Sequence, residues 1–140
     1  MKTNRSRKMF VNLPVRDLRR SVEFFTKLGF EFDPKFTDEQ ATCMIVSEEA
    51  FVMLLVEKRF QDFARRPICD ASRSTEGIFA LTAGSRAEVD ELVNAALAAG
   101  GTRAADPMDL GFMYGWSFYD PDGHHWEVFW MDPAAVADRS

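Results

Sequence analysis

The chain has 140 residues, with 22 acidic and 17 basic side chains, a formal net charge of -5, 46% hydrophobic residues, three Trp and thirteen Phe. That inventory suits one compact domain, burying roughly two-thirds of the surface its unfolded chain would expose, and leaves no room for a dinucleotide domain plus a substrate domain. The acidic balance argues against the basic footprint of non-specific nucleic-acid binding. No apolar stretch approaches the roughly twenty residues needed to cross a bilayer. Neither nucleic acid nor a membrane is therefore an expected partner.

The opening MKTNRSRK supplies four positive charges, but no apolar leader core follows, since Phe10 to Val15 already alternates and Pro14 interrupts it. A cytoplasmic chain with a loose tail over residues 1–7 is the expectation. Cys43 and Cys69 lie far apart without CxxC spacing, which reads as two buried or incidental thiols rather than a disulfide scaffold or a thiolate zinc site.

Along the chain, Met9 to Val15 reads as a strand. An amphipathic helix follows, with Asp17 as N-cap, Leu18, Val22, Phe25 and Leu28 as its apolar stripe, and Gly29 as its stop. Phe30 to Phe36, Cys43 to Ser47 and Phe51 to Glu57 then read as strands separated by polar turns. The same order returns: a strand at Ile78 to Ala83, and a helix at Ser85 to Ala98 opened by the Ser85/Glu88 capping pair. That helix should bury Val89, Leu92, Val93, Ala96 and Leu97. Gly100 and Gly101 end it, and strands follow at Thr102 to Ala105, Phe112 to Tyr119 and His125 to Met131. The chain is thus a degenerate tandem repeat, with a module at 8–58, a polar, arginine-rich linker at 59–75, a second module at 76–132 and a tail at 133–140. The halves are expected to share one core as a single domain over 1–140.

Asp120-Pro121-Asp122-Gly123 is a turn signal that makes a hairpin of the last two strands. In the closing strand, alternation places His125, Glu127 and Phe129 on one face and Trp126, Val128 and Trp130 on the other. The Trp face should meet helices. Glu127 is then the anomaly: a carboxylate among aromatics, which either faces a polar cavity or pays a desolvation penalty.

The run Asn12-Leu13-Pro14-Val15-Arg16-Asp17-Leu18 into Ser21-Val22-Glu23-Phe24-Phe25 and Leu28-Gly29-Phe30, with Asp120-Pro121-Asp122-Gly123-His124 before Glu127, resembles the vicinal oxygen chelate superfamily. That group contains glyoxalase I, extradiol dioxygenases, fosfomycin resistance enzymes and the bleomycin resistance protein. The resemblance covers nearly the whole chain. It implies an α+β fold of tandem βαβββ modules forming an open cupped mixed sheet, with helices on the outer face, and it implies a homodimer around a small-molecule cavity. Metal-dependent members carry a ligand on the first and last strand of each module. By the repeat, those positions fall here on Phe10, Met53, Ile78 and Glu127. Three of the four cannot serve a hard oxygen-rich site. One carboxylate does not hold a catalytic ion, which generally takes three protein ligands. The expected cofactor is therefore none, and a divalent metal ion is the alternative, requiring ligands drawn from elsewhere.

The candidate ligand-binding residues are Phe10, Asn12, Met53, Ile78, Tyr114, Trp116, His125, Glu127 and Phe129. For the strand at 112–119, either alternating set could line a cavity. Asn12 could equally bond to its neighbouring backbone, and Phe10 and Met53 could be simple wall. His124 reads as a turn-side residue. His125 and Glu127 share a face about 7 Å apart at a rise of about 3.3 Å per residue, and desolvation could raise the carboxyl toward a working base. Three functions follow: a metal-independent small-molecule binding module, a glyoxalase-like lyase or isomerase with Glu127 as general base and catalytic residue, and a dimerising structural or regulatory partner.

Overall fold

A computed structural model describes residues 6–137. Residues 1–5 and 138–140, parts of the expected tails, lie outside the described residues. The chain divides into two compact units between Ile68 and Cys69, inside the expected linker.

In the first unit, β1 (Met9–Val15) leads to α1 (Leu18–Lys27), β2 (Glu31–Asp33), a 3-10 turn at Pro34–Phe36, β3 (Ala41–Ile45), β4 (Ala50–Val56) and α2 (Glu57–Phe63). The strand order is β1-β4-β3-β2, with β1 parallel to β4 and the other pairs antiparallel. Asp17 caps α1 by accepting from the Arg20 amide at 3.2 Å. Gly29, at φ +99°, turns the chain out of the helix. The buried stripe of α1 is Ser21, Phe24 and Phe25. It is rotated from the expected one because the two adjacent phenyl rings both turn inward, meeting edge to face at 4.9 Å. The expected strand from Phe30 stops at Asp33, since Pro34 has no N–H to donate and the Asp33 side chain accepts from the Lys35 amide at 2.9 Å. Leu13, Val15, Val52, Leu54 and Met44 form the core. Cys43 is buried there as a free thiol, and desolvation raises its pKa.

The second unit repeats the order: β5 (Ile78–Thr82), α3 (Arg86–Ala98), β6 (Thr102–Arg103), β7 (Met108–Asp109), β8 (Met113–Tyr119), β9 (His125–Met131) and α4 (Pro133–Ala137). Here the order is β5-β9-β8-β6, with β7 also paired to β8 and β5 parallel to β9. Both modules are thus βαβββ-like units with mixed sheets, the second carrying the short β7 in addition, and the fold class is α+β. The Ser85 side chain accepts from the Glu88 amide at 3.1 Å, while Glu88 bonds the Gly84 amide at 3.2 Å, one residue earlier than a strict capping box requires. Val89, Val93 and Ala96 are fully buried. The expected neighbours Leu92 and Leu97 are only half-buried.

The hairpin turn before β9 is held by one buried carboxylate. Asp120 Oδ1 accepts from the amides of Asp122 (2.9 Å) and His124 (3.0 Å), and Oδ2 accepts from Trp126 Nε1 (3.0 Å). His124 is buried, with its Nδ1 3.1 Å from Glu76 Oε1. Gly123 sits at φ +94°, and a Cβ there would stand 2.8 Å from the Ala71 carbonyl oxygen, so the incoming segment crosses directly over the turn. Gly29, at a similar φ, has open space around it.

Gly29→Ala should therefore cost about 1–3 kcal/mol, the left-handed strain alone. Gly123→Ala should cost clearly more, because backbone rather than a flexible side chain obstructs the methyl. Urea denaturation of both variants checks this, and equal losses would show that the contact with Ala71 carries no energy.

Candidate ligand site

Directly paired residues of a sheet point to the same side, so the registers assign the faces. In the second unit, Ile78 pairs with His125, Ala80 with Glu127 and Thr82 with Phe129. Across β9, Tyr119 pairs with His125, Ser117 with Glu127 and Gly115 with Phe129. One face thus carries Glu127 with Phe129, Gly115, Ser117 and Met113. The other carries Trp126, Val128 and Phe118, all buried, and it is the face α3 covers. The choice left open for β8 is resolved: the Met113, Gly115, Ser117 set stands beside Glu127, and Tyr114 stands across the sheet from it.

Tyr114 is occupied on that helix side. Its hydroxyl donates to Asp90 Oδ1 of α3 at 2.6 Å, a bond that raises the phenol pKa. The Arg86 guanidinium stacks 5.4 Å from the Tyr114 ring and 5.2 Å from the Trp130 ring. It also bonds Asp109 Oδ2 at 2.7 Å and the Gly111 carbonyl at 2.8 Å, holding the Asp109 carboxyl below its ordinary pKa. This clamp ties the short strand β7 to the start of α3.

On the Glu127 face lies a pocket of about 230 Å³, bounded by Ala105, Asp106, Met108, Met113, Gly115, Trp116, Ser117, Glu127 and Phe129. The chain leaves the β8 edge after Arg103 and rejoins it at Met108. The intervening loop is pinned where the Ala105 amide donates to Ser117 Oγ at 3.0 Å. Glu127 is exposed and has no hydrogen bond or ion pair among the described residues. The burial that the sequence suggested for the Glu127 carboxylate is therefore absent. Trp116 borders the pocket from the neighbouring face, with Nε1 buried and unpartnered among the described residues and the Arg103 guanidinium 5.8 Å from its ring. His125 lies on the Glu127 face, its ring edge-on to Tyr119 at 5.3 Å and its Nε2 buried without a partner among the described residues. It does not line the pocket. Ile78 is exposed on β5, which stands at the end of this unit's strand order.

Of the pocket residues, Ala105, Asp106 and Met108 are missed in the sequence, while Met113, Gly115 and Ser117 belong to one of the two β8 sets that alternation alone leaves open. Nothing in the sequence marks the loop as returning.

The first unit holds the other expected residues. Phe10 pairs with Phe51 and their rings stack at 4.8 Å, while Asn12 pairs with Met53. The Asn12 side chain donates from Nδ2 to the Phe10 carbonyl at 3.2 Å, the local backbone bond considered for it. Phe10 with Phe51 repeats Ile78 with His125, and Asn12 with Met53 repeats Ala80 with Glu127, so Met53 and Glu127 are equivalent positions. A divalent ion does not fit these donors. Phe10, Met53 and Ile78 offer no oxygen or nitrogen, and no group of three or more His, Cys, Asp or Glu able to hold a metal exists among the described residues.

Comparison with known proteins places this geometry. Residues 7–47 match the family model of the bleomycin resistance protein-like N-terminal region. A hypothetical protein of S. aureus is 30% identical and superimposes with a TM-score of 0.75 over 87% of this chain and 91% of that one. The chain belongs to the vicinal oxygen chelate superfamily. Among solved members of this superfamily, a glyoxalase/bleomycin resistance protein/dioxygenase family enzyme from Burkholderia phytofirmans PsJN is 16% identical (TM-score 0.72; 87% of this chain, 96% of that one). A glyoxalase-related enzyme from Fulvimarina pelagi is 21% identical (TM-score 0.72; 86% and 85%). Both show the vicinal oxygen chelate fold. No curated protein matches the sequence.

A larger hollow of about 360 Å³ lies between residues 71–75, Gly100, Thr102 and the Tyr119–Gly123 turn. Of its two buried carboxylates, Asp120 and Asp122, the first already accepts from two backbone amides and Trp126 Nε1, so it reads as structure. Burial raises the Asp120 pKa. A raised folded-state pKa lends stability that is complete below the unfolded carboxyl value of about 4 and fades as pH rises through the folded value. Wild type should thus outlast Asp120→Asn, which turns an amide toward Trp126 Nε1, by a margin that shrinks from about pH 4 to about pH 8. Urea midpoints at both pH values test it, and a margin that widens with pH would contradict the assignment.

Proposed function

We propose that the protein binds a small organic molecule in the 230 Å³ pocket on the Glu127 face, without a metal, and that it works as a cytoplasmic homodimer. One observation carries this reading: Glu127 is an exposed carboxylate with no partner among the described residues, set beside Met108, Met113, Gly115 and Phe129. A few polar groups converging on an apolar wall are the usual grammar of a ligand site. Phe129 and Trp116 remain ligand-contact candidates from the sequence, Ile78 and His125 are candidates elsewhere on the second unit, and Phe10, Asn12 and Met53 are candidates on the first unit taken by itself. Two free cysteines suit a reducing compartment, and no helix of the described residues is long and apolar enough to cross a membrane.

The second reading is a glyoxalase-like lyase or isomerase in which Glu127 is the general base. Its support is the same unpartnered carboxylate, free to accept a proton, with His125 two residues along the face. It lacks a cationic side chain to stabilise the developing anion, since among the described residues no Lys, Arg or His lines the pocket. Binding is therefore the better reading.

Glu127→Gln should leave unfolding free energy within about 0.5 kcal/mol of wild type, as for an exposed side chain without partners. It should weaken a pocket ligand found by fragment screening about tenfold, whereas Gly115→Val should fill the floor and abolish binding. Calorimetric titration of the three proteins checks both, and unchanged affinity in Gly115→Val would move the ligand elsewhere. Sedimentation equilibrium should give twice the 15.9 kDa chain mass, and a single-chain mass would remove the dimer.

A further inference from the structure

The charge around the pocket is unbalanced in one direction. Among the described residues no Lys or Arg lines it, and two carboxylates do: Asp106 and Glu127. Asp106 is already matched by the Arg103 guanidinium at 3.3 Å. Glu127 is matched by nothing among the described residues. Within the same wall stand two thioethers, Met108 and Met113, and the ring of Phe129, a soft apolar lining that adapts to the shape it meets. Gly115, between them, leaves the floor open, since a Cβ there would already touch Phe129 Cβ at 3.4 Å.

We infer that the ligand is an organic cation, a primary or quaternary ammonium on a short apolar or aromatic body, with its charge on Glu127 and its body against Met108, Met113 and Phe129. This rests on the pocket being the binding site, and it adds the chemical class. An anion would meet an uncompensated carboxylate at short range, and a neutral body would leave that carboxylate facing apolar surface once water is displaced. A cation satisfies it with a charge-assisted bond. The chain's net charge of -5 draws cations toward the protein at longer range. A volume of about 230 Å³ lies below the usual range for drug-sized ligands, which limits the buried part to a fragment.

The test uses three probes of one shape on the full chain: 2-phenylethylammonium, 2-phenylethanol and 3-phenylpropanoate. Amide chemical shifts of Gly115 and Glu127 are followed by heteronuclear NMR at increasing probe concentration. The ammonium should bind about tenfold tighter than the alcohol, with the carboxylate weakest, and its advantage should shrink at high salt. Glu127→Gln should erase the preference and leave the alcohol unchanged. Alcohol or carboxylate binding at these amides as tightly as the ammonium would overturn the cation class while keeping the pocket. Absence of shifts at these amides with all three probes, at millimolar concentration, would overturn both.

Discussion

Burial of Trp126 and Val128 against α3 decides where every chemically capable side chain of β9 stands. A strand alternates its side chains with a period of two, so fixing that pair inward forces His125, Glu127 and Phe129 together onto the opposite face. A slip of one residue would exchange the faces and place a carboxylate against α3, at a cost far above that of an exposed Glu127. Asp120 reinforces the same register, because its carboxylate accepts from Trp126 Nε1 and from the backbone of the turn that starts the strand. The site is therefore a by-product of core packing, positioned by residues that never touch it.

The repeat shows how two modules with one topology diverge. Val52 and Leu54 in β4 do for the first unit what Trp126 and Val128 do for the second, and the parallel registers of β1 with β4 and β5 with β9 coincide. On the outward faces the two differ. Met53 stands where Glu127 stands, and stacked Phe10 and Phe51 stand where Ile78 and His125 stand. Only the second module adds β7 and the loop from Ala104 to Pro107 along the β8 edge, and that loop supplies the pocket's rim. The Arg86 clamp holds this addition to α3, joining a cation, two rings and a carboxylate in one cluster.

Much of the fold was legible because its signals are local. Met9 to Val15 and His125 to Met131 coincide with β1 and β9, Asp17 and Ser85 cap the two long helices, and the Asp120 to Gly123 turn forms its hairpin. Where local signals competed, the reading slipped. Phe30 to Phe36 is apolar enough for a strand, yet Pro34 ends it. Phe24 beside Phe25 shifted the stripe of α1. The site was less legible. Glu127 stood out by its aromatic neighbours, but Trp126 and Trp130 point to the other face while Phe129 shares its own, and the carboxylate is exposed where sequence suggested desolvation. Tyr114 belonged to the α3 side, which no single-strand pattern could show before the register was known. Asp106 and Met108 escaped altogether, because a two-residue strand has no periodicity and the loop's return to Gly115 is a tertiary pairing.

The central claim is that the Glu127 face of the second module is a binding site for an organic ligand. A crystal structure of the full chain soaked with the tightest-binding fragment tests it most directly. Density is expected against Met108, Met113 and Phe129, with a polar atom of the fragment within hydrogen-bond distance of a Glu127 oxygen. Fragment density elsewhere with this pocket filled by solvent, or a metal ion coordinated by Glu127, would contradict it.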